Sequence, residues 1–317
     1  MRLDVDRIHA AVEAIDPVFL DSPQYECGPL GGALGCAVTL KVETLNPVRC
    51  FKGRGTDTVM ASLDGRAAVC ASAGNLGQAL AYSGARSGIA VTVMAGRTAN
   101  PLKVERMRAL GAEVRIVGED IEDARAAAQR LAEEGGARLI EDSLDLATCE
   151  GAGTIGLELL AGGDRIDTLL IALGGGALAA GIGCVAKALA PGVEVVTVQP
   201  AGAPAMTLSW RRREVVETDS MDTIADGVAG RCPIPEVLDD LLEVVDDAVL
   251  VSEDAIKEGM RLLYLHAGLV VEPSAALGVA AILEDPERFA GRRVATIVCG
   301  SNVATADFER WVLSSSG

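Results

Sequence analysis

From residue 66 onward, short apolar runs rich in β-formers alternate with segments of helical spacing: AAVCA, then 75–87, then IAVTVMA, then 101–110, then AEVRIVG, then 119–134, then ARLIED. Short apolar runs bounded by turn residues suit buried strands, and apolar positions recurring at helical spacing suit the buried face of a helix. Their alternation predicts βαβ units and parallel strands. The helix over 101–110 carries its own punctuation, with Asn100 as cap, Pro101 in the first position and Gly111 just past the end. The rhythm resumes after 145, predicting strands near 166–173, 193–199 and 293–298 and helices near 146–161, 176–190, 253–267, 273–283 and 304–313. The segment 200–247 contains Pro200, Pro204, Pro233 and Pro235 and reads as irregular chain that wraps the surface or closes over a site.

Composition sharpens this into an α/β protein of two lobes, because 317 residues exceed the usual single-domain size. Half the residues are apolar and only 3% are aromatic, so Ala, Val, Leu and Gly must build the core by close helix-on-sheet packing. A formal charge of -17, from 28 basic against 45 acidic residues, opposes attraction to nucleic acid or anionic lipid. An anionic ligand must then be held by local geometry. Arg211, Arg212 and Arg213 read as a solvated helix end. Eight cysteines without a CxxC pair, beside two histidines, give no metal-ligand spacing and no reason to expect a metal. Cys70 and Cys184 lie inside apolar runs, where a reduced buried thiol is the default, which favours a reducing cytoplasm. MRLDVDRIHAAVEAI is an acidic amphipathic pattern unlike a secretion signal, and the most apolar stretch, 166–190, is broken by glycines into a strand and a helix.

Four segments stand at strand ends or helix starts and carry candidate chemistry. LKVETLNPVRCFKGRGT leads a strand through Asn46-Pro47 to Lys52 at a helix start, where the helix N-terminus and Arg54 are expected to disfavour its proton, the condition for forming an imine with an aldehyde. CASAGNLGQ turns a strand into a helix with small residues that let an anion approach backbone N–H groups, while Ser72 and Asn75 add directional hydrogen bonds. IALGGGALAAG sets three glycines between a buried strand and an apolar helix, a phosphate cup without the GxGxxG spacing or P-loop lysine of nucleotide sites. TIVCGSN brings Cys299 to a strand end. Each alone also fits an ordinary turn or a surface lysine. Ligands of open α/β sheets bind at the carboxyl ends of strands, so the convergence of all four outweighs any one.

FKGRG, SAGNLGQ, GGGALAAG, EPSAA at 272–276 and CGSN stand in the order found in fold-type-II pyridoxal-phosphate enzymes. The resemblance spans about residues 18–312, and SAGN with ADGVA at 225–229 makes the chain similar to the threonine/serine dehydratase (ammonia-lyase) group. It implies a tryptophan-synthase-β-like fold, with residues 1–40 plus 143–317 forming a large cofactor domain and residues 41–142 a small domain that carries the substrate-carboxylate loop. It also implies a homodimer. Residue by residue, the resemblance makes Lys52 the Schiff-base lysine, Phe51 its neighbour beside the ring and Asn75 the partner of the ring hydroxyl. Gly174, Gly175, Gly176, Ala177 and Leu178 hold the phosphate, Ser72, Ala73, Gly74 and Asn75 bind the substrate carboxylate, and Cys299 faces the pyridine nitrogen. The activity so implied is β-elimination from L-threonine or L-serine to a 2-oxo acid and ammonia, with Lys52 removing the Cα proton and the cofactor phosphate protonating the leaving hydroxyl.

A thiol at the pyridine nitrogen, unlike a carboxylate, does not keep the ring protonated, so prompt loss of a β-substituent is favoured over a long-lived carbanion. Ala73 stands where serine racemases of the group carry a serine base, which disfavours racemisation. Cys50 replaces a serine, Leu76 a histidine and Ala177 the last glycine of the usual cup, and Gln199 stands where an acid is common. Leu76 and Val48 leave room for a bulkier substrate such as phenylserine. The chain ends soon after CGSN, so an appended regulatory domain and control by isoleucine are not expected. Two rivals stay open: β-replacement of the cysteine-synthase kind, and a ligand-binding pseudoenzyme. A Rossmann dehydrogenase needs GxGxxG followed by an acidic ribose ligand, and neither occurs in that context.

Overall fold

A computed structural model describes residues 1–97, 99–119, 121–163 and 165–314. Its strands are β1 (Gln24–Glu26), β2 (Ala37–Val42), β3 (Ala68–Ala71), β4 (Val91–Ala95), β5 (Glu113–Ile116), β6 (Arg138–Leu139), β7 (Thr168–Ala172), β8 (Glu194–Pro200), β9 (Asp247–Val251) and β10 (Arg293–Val298). They form a six-stranded sheet in the order β1-β2-β10-β7-β8-β9 and a four-stranded sheet in the order β5-β4-β3-β6. Only β1 runs antiparallel to its neighbour. The architecture is thus the expected α/β pair of mostly parallel sheets flanked by helices. The central strands TLLIA, EVVTVQP and RVATIV are buried almost throughout, the mark of a parallel sheet covered on both faces.

With so few aromatics, the helices approach by glycine. A Cβ added at Gly55 would stand 2.7 Å from the Thr148 carbonyl oxygen, and one at Gly181 would stand 2.2 Å from that of Cys149. The helices Lys52–Ala61 and Ala177–Leu189 therefore both lie against Leu146–Ala161 at a separation that no larger residue permits. This seam fixes the start of the lysine helix relative to the glycine-rich turn.

The segment 200–247 is more regular than its prolines suggest, with helices Ala205–Arg212 and Pro235–Val244. Pro204 is the N-cap of the first and Pro235 occupies the first turn of the second, so two presumed breakers act as helix starters. Arg211 and Arg212 end the first of these helices, and Arg213 caps it in the left-handed region. Among the described residues no helix is long and apolar enough to cross a membrane.

Candidate active site

Lys52 opens its helix because the chain before it is tied down on both sides. The Asn46 side chain accepts from Val48 N and donates to the Glu43 and Cys50 carbonyls. Phe51 N donates to the Cys299 carbonyl at 3.0 Å, and Ser301 N donates to that of Arg49 at 2.9 Å. The end of β10 is thereby clipped to the start of the lysine helix. Two residues on, the fully buried Arg54 donates to both oxygens of Glu43 at 2.9 Å and to Thr154 at 3.1 Å, and it pairs with Glu158, which also receives Lys41.

The Lys52 ammonium lies 2.6 Å from Asp142 Oδ2 and 4.7 Å from the centroid of the Phe51 ring. Burial pulls the ammonium down, but the Asp142 carboxylate more than offsets this and holds it above the ordinary lysine value. The sequence-based expectation that its proton is disfavoured is therefore overturned. Arg54, read as the cation beside Lys52, points away into Glu43 and Glu158, and the group facing Lys52 is an anion.

Lys52 shares one cavity with Phe51, Asn75, Gly174, Gly175, Gly176, Ala177, Leu178 and Cys299. Ala71 closes β3, and Ser72, Ala73 and Gly74 make the turn into the helix Asn75–Ser87 without lining this cavity. Ser72 Oγ accepts from Gly74 N at 3.1 Å and Gly77 N at 3.0 Å, so the hydroxyl shapes its own loop. Asn75 Nδ2 donates to Glu272 Oε1 at 2.8 Å, and Asn302 Nδ2 donates to Asn75 Oδ1 at 2.8 Å. Glu272 also receives Asn302 N, and burial holds its carboxyl above the ordinary range.

Sequence reasoning missed Asp142, Glu272 and Ser274, all of which line the cavity, and Asn302, which fixes Asn75. EPSAA was a visible motif, but no role for its Glu272 or Ser274 was readable from it. Asp142 lies in a plain EDSLD stretch and carried no signal at all.

Several features of this cavity test whether pyridoxal phosphate fits. Neighbours crowd the glycines: a Cβ at Gly174 would stand 2.9 Å from Val228 Cα, and one at Gly175 would stand 2.7 Å from Ser143 Oγ. Gly176 has φ +108 and caps the helix Ala177–Leu189, whose start suits an anion, while Ser143 Oγ accepts from Ala177 N at 3.1 Å. Ser274 Oγ is buried without a hydrogen-bond partner among the described residues and lines the same space. Cys299 completes the donor set, since burial pushes its thiol well up and keeps it neutral. A primary amine for an aldehyde, a glycine-lined helix start for a phosphate and a neutral group at the end of β10 together fit the cofactor.

A second cavity of about 320 Å³ adjoins the first through Asp142, Gly174, Gly175, Gly227 and Val228. It is walled by Leu76, Met206, Ile234 and Cys232, among others. Cys232 is exposed, and the other seven cysteines are buried and free.

Residues 15–300 match the family described as pyridoxal-phosphate dependent enzyme. The chain is 34% identical over 299 residues to phenylserine dehydratase of Ralstonia pickettii, covering 93% of this chain and 90% of that one. It is 33% identical over 278 residues to L-threonine ammonia-lyase of Thermotoga maritima, covering 86% and 69%. Maize serine racemase superposes with a TM-score of 0.92 at 28% identity, over 98% of this chain and 97% of that one. The family match spans both sheets and every residue that lines the cavity, and the cavity meets the cofactor's needs on its own terms. The chain belongs to the pyridoxal-phosphate dependent enzyme family, and pyridoxal phosphate is its cofactor.

Proposed function

We propose that the protein eliminates the β-hydroxyl of a β-hydroxy-α-amino acid, releasing a 2-oxo acid and ammonia. The observation that carries this reading is the placement of the Lys52 amine in one cavity with the Gly174–Leu178 turn and the neutral Cys299 thiol. When bound, pyridoxal phosphate takes up the substrate amino group and withdraws electrons from Cα. Lys52 Nζ accepts the Cα proton. The Cα–H electron pair becomes the Cα–Cβ double bond, and the Cβ–O pair leaves with the hydroxyl, which is protonated to water. Hydrolysis of the released enamine gives the oxo acid and ammonia. In this reading the Ser72–Asn75 turn holds the substrate carboxylate and Gly174–Leu178 hold the phosphate. Cys299 offers no counter-anion to the ring nitrogen, which favours elimination over slower carbanion chemistry. Ala73 has no ionisable group, so the opposite face of Cα is left without a base from this loop.

The substrate class includes L-threonine and L-serine. The adjoining cavity, apolar at Leu76, Met206 and Ile234, favours a bulkier β-substituent such as the phenyl group of phenylserine, and the likeness to phenylserine dehydratase points the same way. Residues 1–40 with 143–317 form the cofactor domain of this reading, residues 41–142 the smaller one, and two copies pair as a homodimer.

The test is 2-oxo acid release by the cofactor-loaded protein from L-threonine, L-serine and L-threo-phenylserine, with the cofactor's visible band followed in parallel. Release from any of the three is expected, and Lys52→Ala abolishes both band and turnover. A band that shifts with amino acid while no oxo acid forms overturns elimination in favour of β-replacement.

A further inference from the structure

Among the described residues Lys52 is the only lysine that lines the cavity, and its closest polar contact there is Asp142, contributed by the stretch between β6 and the helix Leu146–Ala161. The two groups come from positions 90 residues apart, and their side chains are 14% and 29% exposed, so the pair is sheltered yet open toward the substrate space. Asp142 also lines the adjoining cavity, which puts its carboxylate between the lysine and the region where a substrate side chain would lie.

We propose that Asp142 is a positioning residue for Lys52: its carboxylate holds the protonated amine in place after proton uptake and sets the pH at which the amine is free to act. This rests on the reading of Lys52 as the cofactor lysine and base. In the step itself, Lys52 Nζ receives the Cα proton and becomes an ammonium. That charge is then neutralised at 2.6 Å by Asp142 Oδ2 and does not stand alone in a partly dry cavity.

The other titratable groups around the pair do not compete for this role. Cys50 and Cys299 face Lys52, and Cys70 and Cys149 face Asp142. Burial pushes Cys50, Cys70 and Cys149 up to about 12 and raises Cys299 as well, so all four are neutral at working pH. Glu272 lines the same cavity but is engaged by Asn75 and Asn302. Arg125 and Glu141 line the adjoining cavity beside Asp142. Asp142 is therefore the anion that Lys52 feels at hydrogen-bond range.

The experiment compares wild type, Asp142→Asn and Asp142→Glu, each loaded with pyridoxal phosphate, by two readouts. One is the pH at which the cofactor's visible band changes in the absence of substrate. The other is the acid limb of kcat/KM. In Asp142→Asn both are expected to move to lower pH by about 1–3 units, the usual effect of an opposite charge at this range, and Asp142→Glu is expected to restore most of the shift. A folded, loaded Asp142→Asn protein whose band titrates as wild type overturns the proposal. The band reports on Lys52 whether or not the protein releases oxo acids, so failure here is distinct from failure of the elimination reading. If Asp142→Asn does not fold, the wild-type protein without cofactor decides the matter. Acetylation of Lys52 by acetic anhydride, counted by mass spectrometry, is expected to have its midpoint at higher pH than that of a lysine in a short unstructured peptide. A midpoint at or below that of the peptide lysine overturns the proposal.

Discussion

Arg54 is two residues from Lys52 and turns away from it. Its guanidinium is enclosed, with Glu43 on one side and Glu158 on the other, and Lys41 completes the cluster. A buried ion pair adds little over a well-packed apolar substitute, but removing one partner strands the other charges out of water. Arg54→Met is accordingly expected to lower stability by roughly 3–5 kcal/mol, read by urea unfolding of the loaded protein. Lys52 shows how one residue's setting can reverse a local expectation. Sequence placed it beside an arginine and a helix start, both of which weaken its hold on a proton. The carboxylate that dominates comes from residue 142, and the arginine side chain turns toward partners at 43 and 158. The direction in which side chains leave a helix start is set by what is packed around it, and local spacing does not encode that.

Much of the secondary structure was legible because each element announces its own ends. Asn100 accepts from Leu102 N and Pro101 opens the helix Pro101–Ala109, as their order in the sequence implies. The central strands TLLIA, EVVTVQP and RVATIV are mostly apolar and lie close to a glycine or proline, so they too could be read directly. The short β1 and the helix Gly28–Leu34 could not, because their sequences, QYE and GPLGGAL, have neither strand nor helix periodicity and take shape against β2 and the core. The four chemical segments of the sequence do meet, but Asp142 and Glu272, which steer them, lie far from Lys52 and Asn75 in the chain and depend on sheet order, and Asn302, although inside the fourth segment, gains its role only when Asn75 is brought to it. At this scale the loop after β3 offers a test. Ser72 Oγ accepts two backbone N–H groups that otherwise go unmet, so Ser72→Ala is expected to destabilise the protein by about 0.5–2 kcal/mol and to raise KM, both measurable on the loaded enzyme.

For the whole molecule, the two sheets are joined across the cavity. Lys103, in the helix Pro101–Ala109, pairs with Asp226, and Arg106 from the same helix donates to Asn302 Oδ1 at 3.1 Å. Asn75 reaches Glu272 across the same gap. These contacts join the four-stranded side to the six-stranded side at the cavity that fits the cofactor, so filling that cavity is expected to stabilise the seam. The distribution of thiols bears on this directly. Seven of the eight cysteines are buried in the folded chain, and Cys232 stands exposed on the wall of the cavity that opens from the seam. The native protein is expected to react with a disulfide-exchange reagent at one thiol, and the unfolded protein at all eight. The protein therefore carries a natural single attachment point: a dye placed on Cys232 sits on the wall of the cavity adjoining that of Lys52 and is expected to report on what enters it, with no engineered cysteine and none to remove.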